Sequence, residues 1–163
     1  MNAGRRGESA EAVGTADNRS RFACATAADA SGAARIRNGF AGWLHRHFSL
    51  SDERRSGVVL AIYEALANAA EFGYLDTPGH GTIAFTASYD DDIDTLAVTV
   101  TDRGRWRPTG TATVPAHRAL RGRGIPLMRA LADEIRINTS ERGTQACLTW
   151  THLLSAPEGA ASS

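Results

Sequence analysis

The feature that most constrains the fold is a pair of helical stretches enclosed between short β-rich runs. Apolar residues recur at helical spacing over residues 30–48, and capping residues followed by a long apolar run predict a second helix over residues 52–72. β-Rich runs come before this pair and after it, so helices and strands are interleaved along the chain. This interleaving predicts an α/β domain of the α+β kind: a two-layer sandwich with a mixed, mostly antiparallel sheet and helices on one face.

The second half of the chain combines strands, a long loop and a third helix. Residues 103–123 are rich in Gly, Pro, Thr and Arg without clear periodicity, which is typical of a functional lid or a disordered loop. A helix with Pro126 in its first turn is expected over residues 124–132. An Asp-rich turn joins two strands, and a solvated turn explains it better than a calcium site because no glycine-kinked ligand loop follows. The predicted strands are residues 21–26, 82–89, 95–101, 134–138 and 145–153.

The length of 163 residues favours one domain, over residues 21–154. Residues 1–20 and 155–163 carry little to bury, so we predict two disordered tails. No run approaches the roughly 18 apolar residues of a membrane span. The start of the chain lacks the apolar segment of a secretory signal, so the expected location is the cytoplasm.

All 18 basic residues are arginine, and 18 acidic residues balance them to a net charge of +0. The absence of lysine excludes a phosphate-binding loop of the GxxxxGK[ST] kind and Schiff-base catalysis, because both need the ammonium group. Zero net charge gives no global field that attracts nucleic acid or an anionic membrane, and we expect neither as a partner. Any phosphate must therefore be held by backbone amides, arginine or a metal.

The two cysteines, Cys24 and Cys147, are far apart in the sequence and belong to no CxxC pair. This argues against structural zinc. Each lies in an apolar, strand-like run, so we expect buried free thiols in a reducing compartment rather than a disulfide.

Three polar residues share one stripe of the second predicted helix. Glu64, Asn68 and Glu71 are spaced i, i+4 and i+7. The stripe is either the solvated side of a core helix or a functional face, and the helix alone leaves both interpretations open.

Three further patterns carry chemical meaning. A buried-looking strand ends in the Asp-Arg-Gly of residues 102–104, where a carboxylate can read the polar edge of a ring and glycine lets the backbone approach it. The Arg-Gly-Arg-Gly of residues 121–124 opens a helix, whose free amides and dipole favour an anion, within an arginine-rich stretch free of acidic residues. A Gly-Thr pair at residues 143–144 opens the last strand and means little alone.

In this order and at these separations, the four patterns resemble the nucleotide-binding boxes of the GHKL ATPase superfamily. The match covers residues 21–154. The short form, with LAIYEALANA at residues 60–69 and RGRGIPLM at residues 121–128, is most similar to the RsbW-type anti-sigma-factor serine kinases of the arginine-rich actinobacterial kind. This resemblance implies the Bergerat ATP-binding fold, with ATP and Mg²⁺ as ligands.

The resemblance also implies roles for individual residues. Glu64 would be the general base that takes a proton from the attacking hydroxyl, and Asn68 would offer its side-chain oxygen to Mg²⁺. Asp102 would accept a hydrogen bond from the adenine amino group, and Thr144 would support that contact through water. Gly104 would let the adenine approach the backbone.

For the phosphates, the resemblance implies a cradle at the start of the third helix. Gly122 and Gly124 would place amides around the phosphates, and Arg121 and Arg123 would add positive charge where the γ-phosphoryl group leaves. The loop before them would close over the nucleotide as a lid.

Two positions depart from the family pattern. Trp106 stands at the second glycine of the DxGxG box, which changes the lid more than the adenine contact. Phe72 stands where many members carry a histidine, so whatever that histidine does near the phosphates is lost here.

The implied activity is that of a serine/threonine protein kinase that phosphorylates a STAS-type anti-sigma-factor antagonist. Such a kinase sequesters a sigma factor when the antagonist is unavailable. A homodimer is also implied, with residues 21–48 expected at its interface. The alternative is a nucleotide-sensing binding module, in which ATP only orders the lid and the output is partner binding. A histidine-kinase catalytic domain is disfavoured, because the chain has no room for the helical hairpin that carries a phosphoacceptor histidine.

Overall fold

Three helices lie on one face of a sheet in the computed structural model, which describes residues 17–72, 81–103 and 124–155. The predicted two-layer α/β sandwich is therefore confirmed. No helix in these ranges is long and apolar enough to cross a membrane. The helices are α1 (Ala30–His47), α2 (Asp52–Phe72) and α3 (Gly124–Leu131). The strands are β1 (Asp17–Asn18), β2 (Arg21–Ala27), β3 (Thr82–Asp90), β4 (Thr95–Asp102), β5 (Glu134–Ser140) and β6 (Gly143–Thr151).

The sheet has the order β1-β2-β3-β4-β6-β5, and every pairing within the described ranges is antiparallel. The parallel component that we expected is not found in this part of the chain. The reason lies in the two helices between β2 and β3. α1 leads away from the end of β2 and α2 returns to it, so β3 begins at the end of the sheet where β2 finished. A parallel neighbour needs a single crossover. The crossover through α3 places β5 at the sheet edge, with β6 inserted between β5 and β4.

The last hairpin is tighter than predicted. β5 extends to Ser140 and β6 begins at Gly143, so only two residues form the turn. β6 also ends at Thr151, two residues before the predicted end. There the chain leaves the sheet, because the Leu153 N–H donates to the Asp94 carbonyl at 3.1 Å instead.

The predicted tail of residues 1–20 needs a correction at its end, because β1 lies within it. Oδ1 of Asn18 accepts hydrogen bonds from the backbone N–H groups of Ser20 and Arg21, both at 2.9 Å. The Asn18 carbonyl accepts another from Nε1 of buried Trp43 at 2.7 Å. Individual hydrogen bonds of this kind leave no trace in the hydropathy pattern, so the sequence did not predict β1. Residues 1–16 and 156–163 lie outside the described residues.

An aromatic cluster forms the core where α1 meets β2 and β3. Asp29 caps α1 by accepting a hydrogen bond from the Gly32 N–H at 2.7 Å. The helix buries Phe40 and Trp43 completely. Phe40 meets Phe85 of β3 edge to face, with ring centroids 5.3 Å apart. Such a pair adds about 1 kcal/mol beyond the area it buries, so α1 is held firmly on the sheet.

Alanine allows α2 to lie close to the sheet. Ala61, Ala65 and Ala69 recur at i, i+4 and i+8 and have no exposed surface. The helix begins after Ser51, whose Oγ accepts a hydrogen bond from the Arg54 N–H at 3.1 Å, as expected of an N-cap.

The end of α3 is anchored near the start of α2. The Leu131 carbonyl accepts a hydrogen bond from Nε1 of Trp150 at 2.8 Å. The Leu131 side chain lies over Gly57, where an added Cβ would meet it at 3.6 Å. The two helices therefore run antiparallel.

Both cysteines are free, as predicted, but they are half-buried rather than buried. Cys24 lies on β2 and Cys147 on β6, with two strands between them. Burial raises the pKa of the Cys24 thiol to about 11, so this thiol stays protonated at neutral pH.

One carboxylate fastens the end of the described chain to the β3–β4 turn. Asp94 has a left-handed backbone with φ 48°. It accepts hydrogen bonds from the N–H groups of Leu154 at 2.9 Å and Ser155 at 3.0 Å, and from the Tyr89 hydroxyl at 2.8 Å. Burial alone would raise the pKa of the Asp94 carboxyl, but the bonds from Leu154, Ser155 and Tyr89 outweigh it and hold the pKa well below its usual range. Burial, followed by the bond to Asp94, raises the pKa of Tyr89 to about 12.

Asp94→Asn is expected to lower the free energy of unfolding by about 2 kcal/mol at neutral pH, because the charge-assisted bonds are lost. A depressed folded-state pKa means that the contribution is complete above the ordinary aspartate pKa of about 4 and is lost as the pH falls toward the folded value. The difference in thermal midpoint between wild type and variant should therefore narrow in acid. Calorimetry at stepped pH measures it, with Asp92→Asn as an exposed control in the same turn. A difference that stays constant with pH would contradict this account.

Candidate functional site

Buried polar side chains single out one part of the molecule. In the described ranges three polar side chains are buried: Asn68 on α2, Asp102 on β4 and Thr144 on β6, with 5%, 2% and 1% of their surfaces exposed. Burial of polar groups costs free energy unless hydrogen bonds or a ligand satisfy them. All three are residues to which the family resemblance assigned a binding role.

The strand pairings place these residues at one end of the sandwich. β4 ends at Asp102, which pairs with Thr144 at the start of β6. β3 also begins at this end, where Thr82 pairs with Ala27, the last residue of β2. α1 follows β2 directly, and its first turns lie beside the last turns of α2 across a shared cavity. Asn68, in those last turns, therefore belongs to the same end.

The start of α3 lies against the polar stripe of α2. A Cβ atom on Gly124 would lie 3.1 Å from Oε2 of Glu64 and 3.5 Å from Nδ2 of Asn68. A larger residue at this position would have to displace one of these side chains. The first amides of α3, which no helical carbonyl satisfies, thus lie beside a carboxylate and a carboxamide.

A glycine also shapes the corner where β4 meets β6. Gly143 has φ 132°, a conformation that side-chain-bearing residues rarely adopt. A Cβ atom there would collide with the Asp102 carbonyl oxygen and approach Cα of Arg103 to 2.6 Å. Beside it, Oγ1 of Thr144 lies 3.4 Å from Oγ1 of Thr139. The start of β6 can therefore lie this close to the backbone of Asp102 and Arg103 only because residue 143 is glycine.

A groove of about 650 Å³ separates α1 from α2 at this end, and we call it the α1–α2 groove. Alanines form much of its walls, and Glu64 and Asn68 line it from α2. Arg37 of α1 and Tyr63 of α2 line it as well, with the Arg37 Cζ 5.4 Å from the Tyr63 ring centroid. The stripe of Glu64 and Asn68 therefore has the groove on one flank and α3 on the other.

The donor atoms at this end fit a magnesium ion that arrives with a phosphate ligand. Asn68 offers a hard amide oxygen, and the Glu64 carboxylate lies on the same stripe. Within the described ranges no three His, Cys, Asp or Glu side chains cluster to hold a metal. Mg²⁺ commonly takes one or two protein oxygens and completes its shell with substrate phosphates and water. The residues present match that pattern rather than a cage built from protein alone.

The structure brings the predicted site residues together in two groups. One consists of Glu64, Asn68 and Gly124, and the other of Asp102 and Thr144. The remaining predicted positions lie outside the described residues: Gly104, Arg121, Gly122 and Arg123, together with Trp106 and the side chain of Phe72.

Two features of the site were not predicted. The Gly-Thr pair at residues 143–144 gave no sign that the glycine is required by the neighbouring strand. The pairing of Arg37 with Tyr63 was also missed. The sequence does indicate the space beside this pair, because alanines at residues 30, 33 and 34 of α1 and at residues 67 and 70 of α2 leave room between the two helices.

Comparison with known proteins identifies the family and the fold. Residues 26–150 match the family described as "Histidine kinase-like ATPase domain". The chain is similar to the RsbU and RsbW domains of Rv1364c from Mycobacterium tuberculosis, at 25% identity and a TM-score of 0.61, over 80% of this chain and 32% of that one. It thus spans about a third of that structure's length. The histidine kinase domain of the Erythrobacter litoralis EL346 blue-light activated histidine kinase shares the fold at 19% identity and a TM-score of 0.50, over 78% of this chain and 65% of that one.

Gly143→Ala is expected to lower the free energy of unfolding by about 3 kcal/mol, since the added methyl group meets backbone atoms and the φ angle disfavours alanine. Urea unfolding followed by tryptophan fluorescence measures this. Gly57→Ala is the matched control, because its Cβ would make only an ordinary contact with Leu131 of α3, at 3.6 Å, and alanine favours a helix by up to about 1 kcal/mol. Wild-type stability in Gly143→Ala would show that the β4–β6 corner is not as tight as described.

Proposed function

Because this chain belongs to the histidine kinase-like ATPase domain family of the GHKL superfamily, we propose that its site binds ATP and transfers the γ-phosphoryl group to a protein serine or threonine. The observation that carries the proposal is the meeting of Glu64, Asn68 and Gly124, which places a carboxylate, a hard amide oxygen and a helix N-terminus side by side. Phosphoryl transfer depends on such positioning and charge stabilisation more than on covalent chemistry by the protein.

At the phosphate end, α2 and α3 share the binding. The Asn68 carboxamide offers Oδ1 to Mg²⁺, which when bound supplies positive charge to the phosphate oxygens. The first amides of α3 donate to the same phosphates, and Gly124 leaves them room to approach. Arg121, Gly122 and Arg123 directly precede this helix in the sequence, and in this proposal they complete the cradle.

Glu64 is the general base in this proposal. It accepts the proton of the acceptor hydroxyl as that oxygen bonds to the γ-phosphorus. The bond from the γ-phosphorus to the bridging oxygen breaks at the same time, and ADP leaves with the bonding electron pair. Glu64 lies one helical turn before Asn68, so the base and the metal-binding amide face the same phosphate.

At the other end of the ligand, residues at the ends of β4 and β6 recognise the adenine base. Asp102 accepts a hydrogen bond from the exocyclic amino group of adenine, Thr144 supports it through water, and Gly104 leaves space for the ring. The same carboxylate repels guanine, which presents a carbonyl oxygen where adenine has its amino group. The proposed site therefore selects ATP over GTP.

We further propose that the acceptor is a STAS-type anti-sigma-factor antagonist and that the regulated partner is a sigma factor. The similarity to a structure that contains an RsbW domain supports this class of partner. A homodimer through residues 21–48 is part of the same proposal. The large apolar side chains of α1 are buried in the core of their own chain, so such a contact would use the polar outer side of α1 or the part of β2 that β1 does not cover.

The proposal is tested with γ-labelled ATP and purified STAS-type antagonists. Wild type should label at least one of them. Glu64→Gln should lower the transfer rate by roughly 10²–10⁴-fold, because proton removal is lost, while ATP affinity measured by calorimetry stays close to that of wild type. Asn68→Ala should weaken ATP binding about a hundredfold in the presence of Mg²⁺, and far less without it.

Other outcomes separate the alternatives. ATP binding without labelling of any antagonist, combined with an ATP-dependent change in partner affinity, would favour the nucleotide-sensing binding module. Calorimetry that detects no heat with ATP or ADP would remove both functions.

A further inference from the structure

The stripe of Glu64 and Asn68 has two different flanks. α3 begins on one of them at Gly124, and the α1–α2 groove opens on the other. In phosphoryl transfer the attacking and leaving oxygens lie on opposite sides of the phosphorus, roughly in line. Since the proposed function puts the ATP phosphates on the α3 flank, the groove flank is the side of the stripe left open to the acceptor hydroxyl.

We propose that the α1–α2 groove receives the hydroxyl-bearing segment of the phosphoacceptor protein, and that Arg37 selects a segment with an acidic side chain beside the hydroxyl. This inference rests on the proposed kinase function and assigns a substrate class to it. The serine or threonine is directed at Glu64, and the acidic neighbour at the guanidinium of Arg37.

The shape of the groove suits an extended segment with short side chains. Five of the lining side chains are alanine methyl groups, which leave a volume of about 650 Å³ between the two helices. A segment that lies there meets methyl groups between polar and charged side chains. The alanines of the wall are Ala30, Ala33 and Ala34 on α1 and Ala67 and Ala70 on α2.

Arg37 carries the positive charge among the described residues that line the groove. Its guanidinium lies over the Tyr63 ring, and Tyr63 is 44% exposed, so the pair faces the open side. Stacking on the ring holds the guanidinium in place, which reduces the entropy that would be lost when a carboxylate binds it.

The charges along the groove also orient the segment. Arg37 and Tyr63 lie toward one end, and the carboxylate of Glu71 lines the other. An acidic side chain is attracted to the first end and repelled from the second. Tyr63 and Glu64 both line the groove. An acidic side chain bound at Arg37 therefore places the neighbouring serine or threonine near Glu64.

The test compares two serine peptides that differ only in carrying glutamate or arginine beside the serine. Wild type should phosphorylate the glutamate peptide with the lower KM. Arg37→Glu should raise that KM about tenfold and reverse the preference, with kcat and ATP affinity unchanged. Arg35→Glu is the matched control, because Arg35 is exposed on the same helix and does not line the groove, and it should leave the preference intact.

A second pair of variants separates the positioning of Arg37 from general damage to the groove. Tyr63→Ala should raise the KM for the glutamate peptide, because the ring that holds the guanidinium is gone. Tyr63→Phe keeps the ring and should restore the wild-type KM. Equal behaviour of Arg37→Glu and Arg35→Glu, or of the two Tyr63 variants, would overturn the proposal.

Binding measurements distinguish failure of the groove from failure of the kinase. Fluorescence anisotropy of labelled peptides, with a non-hydrolysable ATP analogue present, measures peptide affinity for the groove without catalysis. If wild type transfers no phosphoryl group but binds the glutamate peptide, and Arg37→Glu reverses that preference, the groove stands and only the catalytic proposal falls. Binding of neither peptide, or binding without a charge preference, would overturn the groove proposal.

Discussion

Close packing of α2 on the sheet is the constraint on which the rest of the structure depends. Ala61, Ala65 and Ala69 are fully buried in the same core as the strand residues, and protein interiors do not tolerate gaps or excess volume at such positions. The same helix carries Glu64 and Asn68, so the distance between α2 and the sheet determines where these two side chains lie in the site. α1 packs on one side of α2 and α3 on the other, so both neighbours take their positions from it.

The two ends of the candidate ligand site are held by different kinds of interaction. Asp102 and Thr144 are neighbours in a ladder of backbone hydrogen bonds between central strands, which leaves little freedom. Glu64 and Gly124 are neighbours because two helices pack side by side. Packed helices slide by small amounts more readily than paired strands separate. The part of the site that would recognise a base is therefore rigid, and the part that would hold phosphates is adjustable.

Signals that are local or periodic made most of the fold predictable from the sequence. The helical spacing and caps gave α1 and α2 almost to the residue, and the β-rich runs gave all strands except β1. The candidate site residues were proposed because four short patterns follow one another in an order that resembles that of a known family. Their convergence at one end of the sandwich follows from the strand order, which no single pattern contains.

What the sequence did not predict depends on distances between separate elements. β1 is tied to α1 by a hydrogen bond from Trp43 to the Asn18 carbonyl, across 25 positions of the chain. The wholly antiparallel pairing of the described strands depends on β6 lying between β4 and β5. The requirement for glycine at residue 143 comes from the backbone of Asp102, and the groove beside Arg37 comes from the spacing of two helices.

The bond between Trp150 and the Leu131 carbonyl has a mechanical consequence. It anchors α3 at its C-terminal end, so a tilt of this helix about that anchor would displace Gly124 most. Eight residues of helix make a lever about 10 Å long, and a tilt of about 10° would move the free end by about 2 Å. A displacement of that size would change the distance between Gly124 and Glu64 from contact to separation.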